Sequence, residues 1–244
     1  MFEKLNPEHY SIEKFIKFVS KKVKPTEIVL DTGAGSCPYK KYFAHANYES
    51  TDFKPTINKL QKVEHTFYCS LDNIPKKDNS YDVIINTQVL EHVEYPQKVL
   101  NELFRILKPG GKLFLTAPQG WAIHEAPNNF FNFTKYGLKS LFEHAGFNIV
   151  FIKPRGGIFW YLADRLREFF PHILKQYLFE EEYNKQRKFK PKFLSIFLAP
   201  LYLLSYPFTR YIIPWAFFYL DKLDKKRDFT LGYACYCIKP REGK

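Results

Sequence analysis

Apolar residues along this chain recur at two alternating periods. Tyr10, Ile12, Phe15, Ile16 and Val19 return at helical spacing, with Glu13, Lys14, Lys17 and Lys21 on other faces, which predicts an amphipathic opening helix ended by Pro25. Glu27-Ile28-Val29-Leu30-Asp31 follows as a short apolar strand. It leads into the small-residue turn Thr32-Gly33-Ala34-Gly35-Ser36, after which Tyr39, Tyr42 and Phe43 mark a short helical stretch. Strands are expected over 47–52 and 63–70, and the β-branched run Tyr81-Asp82-Val83-Ile84-Ile85-Asn86 suits a strand buried on both faces. A helix over 96–107 should stop at Lys108-Pro109-Gly110-Gly111, with the next strand, 112–116, bounded by Pro118. Thr134 reads as the N-cap of a helix reaching His144 and stopped by Gly146, and 147–152 as a further strand.

Strands alternating with helices in this rhythm imply a mostly parallel sheet with helices on both faces, an α/β, doubly wound fold. Residues 156–228 break the rhythm, being helical, aromatic and basic, before a last strand at 230–238. The expected organisation is a main domain from 1–155 and 229–244, with 156–228 as a helical insertion serving as a lid or membrane-surface element. A chain of 244 residues can bury a substantial core without disulfides or structural metal.

Charge and composition narrow the classes of function. A net charge of +12 points to anionic partners, nucleic acid or anionic lipid, and the position of the charge decides between them. Cys37, Cys69, Cys235 and Cys237 form no Cys-x-x-Cys pair and no zinc spacing with histidine, so no metal is expected and buried thiols are. The opening Met-Phe-Glu-Lys-Leu-Asn-Pro-Glu has neither an apolar core nor a cleavage site, which makes a cytoplasmic location the expectation.

A strand ending in Asp31 and followed by Gly33-x-Gly35 is how an open α/β sheet builds a ligand crevice at its carboxyl edge. Glycine permits a tight turn and close approach of backbone to ligand. Asp31 can accept hydrogen bonds from an ammonium group or from backbone N–H groups. Pro38 stands where a dinucleotide fingerprint needs its third glycine, and no Walker lysine follows, so neither of those sites is expected. Asp52, ending the second strand, can hydrogen-bond both hydroxyls of a ribose.

These residues, with Asp72-Asn73-Ile74-Pro75, Asp78-Asn79-Ser80-Tyr81-Asp82, Gln88-Val89-Leu90-Glu91-His92-Val93 and Leu107-Lys108-Pro109-Gly110-Gly111, stand in the order of a known family. Residues 27–152 resemble the class I S-adenosylmethionine-dependent methyltransferases, closest to the bacterial type 11 group. The resemblance implies a Rossmann-like sheet of seven strands whose last runs antiparallel, and S-adenosyl-L-methionine as cofactor. It implies that Gly33 and Gly35 face the methionyl part, with Gln88 beside it, and that Asp52 faces the ribose. Ser70-Leu71-Asp72 would meet the adenine, partly through the Leu71 backbone N–H. Ser70 departs from the aspartate common in the family, so either it makes a weaker contact or Asp72 substitutes.

Methyl transfer from a sulfonium needs positioning and desolvation, and a base only if the acceptor must lose a proton. His124, in the loop after the fifth strand, is the first candidate base, with a solvated loop histidine as the alternative. His92 is the second, with a loop-holding role as the alternative. In the resembled family an Asp and an Arg follow in that loop, whereas Asn129 and Asn132 stand here.

In the insertion, Phe159, Leu162, Leu166 and Phe169 or Phe170 form a stripe ended by Pro171, and the uncharged run 193–209 falls short of the ~20 residues that usually span a bilayer. Pro200, Pro207 and Pro214 should break it. Lys185, Arg187, Lys188, Lys190 and Lys192 precede this region, and Lys222, Lys225, Lys226 and Arg227 follow it, which fits an element in the interface of an anionic membrane, peripheral on its inner face. Packing over the sheet or a dimer surface is the alternative. Nucleic acid is disfavoured because the basic residues flank apolar helices rather than interleave with aromatics. The expected function is methyl transfer, to oxygen, of a small or lipid- or glycan-linked acceptor. The competing class is a membrane-associated binding or scaffold protein that keeps the fold without turnover.

Overall fold

The computed structural model describes residues 5–53, 63–181, 187–189 and 192–241. Its strands are β1 (Ile28–Thr32), β2 (Asn47–Asp52), β3 (Phe67–Tyr68), β4 (Tyr81–Thr87), β5 (Leu107–Pro118), β6 (Asn148–Pro154), β7 (Phe179–Glu181), β8 (Arg187–Phe189) and β9 (Gly232–Ile238). Its helices are α1 (Pro7–Ser20), α2 (Pro96–Ile106), α3 (Lys135–His144), α4 (Ile158–Leu178), α5 (Ser195–Pro207) and α6 (Ile213–Leu220). Two compact units result: Ser11–Arg155 with Leu231–Lys244, and Gly156–Thr230 with Met1–Tyr10.

The first unit holds a seven-stranded sheet in the order β3-β2-β1-β4-β5-β9-β6. Its strands are parallel except β9, which runs antiparallel to both β5 and β6. The strand order reverses between β1 and β4, the position where open α/β sheets form a crevice at their carboxyl ends. Period-two alternation sends side chains to both faces. Leu30, Ile84, Leu113 and Leu115 pack with Val99, Leu100 and Leu103 of α2 and Leu138 and Phe142 of α3. Val29, Val83, Ile85 and Phe114 pack with Ile12, Phe15, Ile16 and Val19 of α1 on the other face. Cys235 and Cys237, two apart on β9, are both fully buried, whereas Cys37 and Cys69 are only half-buried.

Local differences from the sequence expectation have identifiable causes. The short helical stretch after Gly35 takes the 3-10 form, four residues at Lys40–Phe43 with Tyr39 at its N-cap. The third strand shrinks to Phe67–Tyr68, pairing only with Thr51 and Asp52 at the sheet edge. Lys108-Pro109-Gly110-Gly111 ends α2 yet joins β5, because Leu107 pairs with Tyr81 and the Gly110 N–H reaches the Lys239 carbonyl at 2.8 Å. Gly110 takes a φ of +80°, which lets the strand bend there. Thr134 does cap α3, its Oγ1 accepting the Gly137 N–H at 3.1 Å.

In the second unit, α4 starts at Gly156-Gly157, where two aspartates from later in the chain satisfy its exposed N–H groups. Asp221 accepts from Gly157 and Trp160, and Asp224 from Ile158, at 2.8–3.1 Å. Proline fails as a breaker here. Pro171 lies inside α4, and Pro200, Pro207 and Pro214 lie within one helix, Ser195–Leu223, of 29 residues. A π-helical turn at Phe208–Ile212 shifts the hydrogen-bond ladder before Pro214. The hydroxyls of Ser205 and Thr209 turn back onto the carbonyls of Tyr202 and Ser205. By length and composition this helix could cross a membrane, and only 6% of its most apolar window is buried. Of its basic flanks, Lys185 and Lys190 and the side chains of Arg187 and Lys188 lie outside the described residues.

Candidate active site

The end of β1 delivers Asp31 and Thr32 into a turn that β2 straps down. The N–H groups of Gly33 and Ala34 both donate to the Thr51 carbonyl, at 2.9 and 3.1 Å, and the Gly35 N–H donates to Asp52 Oδ2 at 2.6 Å. Gly33 and Gly35 have φ values of +66° and +52°, a region L side chains enter only with strain. A Cβ on Gly33 would stand 2.5 Å from Val89 Cγ2, whereas one on Gly35 would meet nothing within 4 Å. The two glycines therefore serve different needs, close packing at Gly33 and open space over the turn at Gly35.

That open space is a cavity of about 220 Å³ lined by Asp31, Gly33, Gly35, Tyr39, Thr87 and Gln88, among others. Asp31 is buried at its base, and its Oδ2 accepts the Tyr48 hydroxyl at 2.7 Å. Burial pushes the Asp31 carboxyl up to about 7, the Tyr48 hydrogen bond pulling against this and the charge of Asp52 adding to it. Burial and the Asp31 carboxylate together raise Tyr48, so the phenol stays a donor. A small cavity over a buried carboxyl that needs a cation to ionise fully fits the ammonium end of an amino-acid ligand. Gln88, at φ +54°, is held by its own N–H on the Thr116 carbonyl and by its side-chain Nε2 on Thr116 Oγ1, both at 3.0 Å.

The cavity thus gathers Asp31, Gly33, Gly35 and Gln88, but its lining does not include Asp52, Leu71 or Asp72. Asp52 holds the turn instead, its second oxygen accepting the Phe53 N–H at 2.6 Å. The Leu71 side chain is buried in the core, which leaves its backbone as the group to offer a ligand. Asp72 Oδ1 accepts the Ser70 hydroxyl at 2.5 Å, so the two alternative adenine-side residues form one unit.

At the same carboxyl edge, the loops after β4 and β5 bring His92 and His124 together, their ring centroids 4.8 Å apart and nearly perpendicular. His92 Nδ1 lies 2.6 Å from the Asn128 carbonyl oxygen and His124 Nδ1 2.9 Å from that of Ala122. A carbonyl only accepts, so each Nδ1 carries a proton, which in the neutral ring leaves the lone pair on Nε2. Asn132, where the family resemblance leads one to look for charge, braces this loop through both polar atoms, pairing with the Trp121 backbone at 3.3 Å. Sequence reasoning missed Tyr48, Thr116, Val89 and Glu91. Tyr48 and Thr116 sit inside ordinary strand patterns, and only strand pairing reveals what they face.

Comparison with known proteins agrees with this geometry. Residues 30–115 match the model of a methyltransferase domain. An uncharacterized protein of Methanocaldococcus jannaschii is 34% identical over 127 residues, which is 51% of this chain and 56% of the relative. The ubiquinone/menaquinone biosynthesis C-methyltransferase of Ruegeria sp. is 32% identical over 104 residues, 39% of this chain and 36% of that enzyme. The chain thus spans little more than half the length of these relatives at most. Among solved structures, the [4+2]-cyclase SpnF shares the fold with a TM-score of 0.53 at 17% identity, over 94% of this chain and 81% of that one. Sheet order, glycine turn and the segment matched over residues 30–115 together make this chain similar to the class I S-adenosylmethionine-dependent methyltransferases.

Proposed function

We propose that this chain transfers a methyl group to an oxygen of a small or lipid- or glycan-linked acceptor. The observation that carries the reading is the cavity over Asp31, which joins a buried carboxyl to an open glycine turn. S-adenosylmethionine, when bound, supplies a methyl group already activated on a sulfonium. Asp31 would hold the ammonium of its methionyl end, Gly33 and Gly35 would allow close backbone approach, and Gln88, fixed on Thr116, would border the same end. Asp52, Leu71 and Asp72 are assigned to the ribose and adenine.

An oxygen acceptor must shed a proton, and in their neutral forms the neighbouring rings of His124 and His92 can receive it at Nε2. The lipid-linked form of the acceptor rests on the exposed apolar helix Ser195–Leu223 and the lysines that follow it, which support contact with an anionic membrane. The test is calorimetric binding of S-adenosylhomocysteine, followed by transfer of a labelled methyl group into lipid and aqueous extracts. Saturable binding with label in an alkali-stable, oxygen-linked product is expected. Absence of binding, unchanged by Gly33→Arg, would overturn the reading, and binding without transfer to any extract would favour a scaffold that keeps the fold without turnover.

A further inference from the structure

We propose that Glu91, His92 and His124 form a binding site for a divalent transition-metal cation. Their ligand atoms, one carboxylate oxygen and two imidazole nitrogens, all lie within 4.8 Å of one another. Ligands held about 2.0–2.2 Å from a single ion stand roughly 3–4 Å apart, so a modest contraction closes the set. His124 can supply it, because it rides on a loop where its neighbours Ile123 and Glu125 are exposed.

The second, independent observation is the tautomer. Metal-bound histidines nearly always give their other ring N–H to a carboxylate, carbonyl or water, which orients the ring. Both histidines here donate Nδ1–H to backbone carbonyls, of Asn128 and Ala122, which in the neutral rings leaves Nε2 as the ligating nitrogen of each. Glu91 is only 1% exposed, so its carboxyl lies out of bulk water in the same cluster as the two imidazoles. Two imidazoles and one carboxylate suit Zn²⁺, Fe²⁺, Mn²⁺ or Co²⁺ better than Mg²⁺ or Ca²⁺, which take oxygen ligands. Three protein ligands leave coordination positions open.

The consequence deepens the acceptor reading above and rests on it. An acceptor hydroxyl bound at an open position would lose its proton to water more easily under the charge of the ion, so with the cation bound the histidines would hold it in place of receiving that proton. Metal binding itself does not depend on that consequence.

The test titrates Co²⁺ into the metal-stripped, untagged full chain, followed by visible absorption and calorimetry, with S-adenosylhomocysteine binding measured on the same samples. One saturable Co²⁺ per chain with ligand-field bands, displaced by Zn²⁺, is expected. His124→Ala should weaken Co²⁺ binding by about tenfold or more, in line with loss of a metal-site contact, while S-adenosylhomocysteine affinity stays within about twofold. No saturable Co²⁺ binding, or equal binding by the parent, His124→Ala and His92→Gln, overturns the site. Loss of Co²⁺ binding alone strikes the metal site, whereas absent S-adenosylhomocysteine binding strikes the methyltransferase reading and leaves the metal result standing.

Discussion

Tyr48 on β2 donates its hydroxyl to Asp31 Oδ2 on β1 across 2.7 Å, two strands joining at the base of the cavity. With its pKa raised to about 7, Asp31 is largely protonated in mildly acidic solution. A cationic ammonium favours the carboxylate, so ligand binding below that pH must expel a proton. Affinity for S-adenosylhomocysteine should therefore fall by up to about tenfold per pH unit below 7 and level off above it. Calorimetry in buffers of different ionisation enthalpy should detect the released proton, and Asp31→Asn should flatten the profile. The sign for stability is opposite: a raised carboxyl contributes most below its unfolded value of 3.8, and that contribution is lost as pH rises through about 7.

Gly33 and Val89 are packed so closely that a side chain at 33 must displace the valine. Gly33→Ala should cost about 2–4 kcal/mol, from overpacking and from a positive φ together. Adding Val89→Ala should recover the packing part and leave the conformational part, which a double-mutant cycle in urea would separate. Gly35→Ala, with no neighbour within 4 Å, should cost only about 1–2 kcal/mol. Its larger effect should be on ligand binding, because its Cβ would border the cavity.

Thr116 holds Gln88 through its hydroxyl and its carbonyl. Thr116→Val retains the carbonyl contact and the shape while removing the hydroxyl, so stability should change by about 0.5–1.5 kcal/mol. If the carboxamide orients a ligand, S-adenosylhomocysteine affinity should drop several-fold and Gln88→Ala should add little to the loss. Binding isotherms of the two single variants and the double variant read this directly.

Leu203 and Leu204 are 69% and 70% exposed on the apolar helix. The chain should float with anionic vesicles at low salt and less at high salt, where the basic flank is screened. Replacing both leucines with glutamate should abolish flotation while shifting thermal stability by no more than about 1 kcal/mol, as expected of surface positions. A parent chain that stays with the soluble fraction on anionic vesicles would argue for packing instead.

Much of the sheet could be read directly from residue order. The run 81–86 became β4, because a strand buried between neighbours is rich in apolar and β-branched residues, whereas 47–52 became β2 with mostly polar residues, only Ser50 and Thr51 of which are buried. The glycine turn was equally visible, since positive φ and close approach leave few alternatives to glycine. Edge and breaker signals transferred poorly. Phe67–Tyr68 pairs at the sheet edge over only two residues, and three prolines were absorbed by one helix through a π-turn and returning hydroxyls.

Gln88 entered through the family resemblance and the β7–β8 pair was not foreseen; by itself the sequence determined the order of strands and helices around the main sheet and the glycine turn with Asp31 before it. These depend on local conformation and on periodicity, which neighbours along the chain specify. Only the tertiary structure decided that Tyr48 meets Asp31, that Asp52 secures Gly35, and that Glu91, His92 and His124 converge. Those relationships join residues 17 positions apart in the two strand contacts, and bring the adjacent Glu91 and His92 to His124, 32 positions beyond His92, by strand pairing and by two loops at one sheet edge. No pattern along the chain encodes such convergence, because it is set by which strands pair.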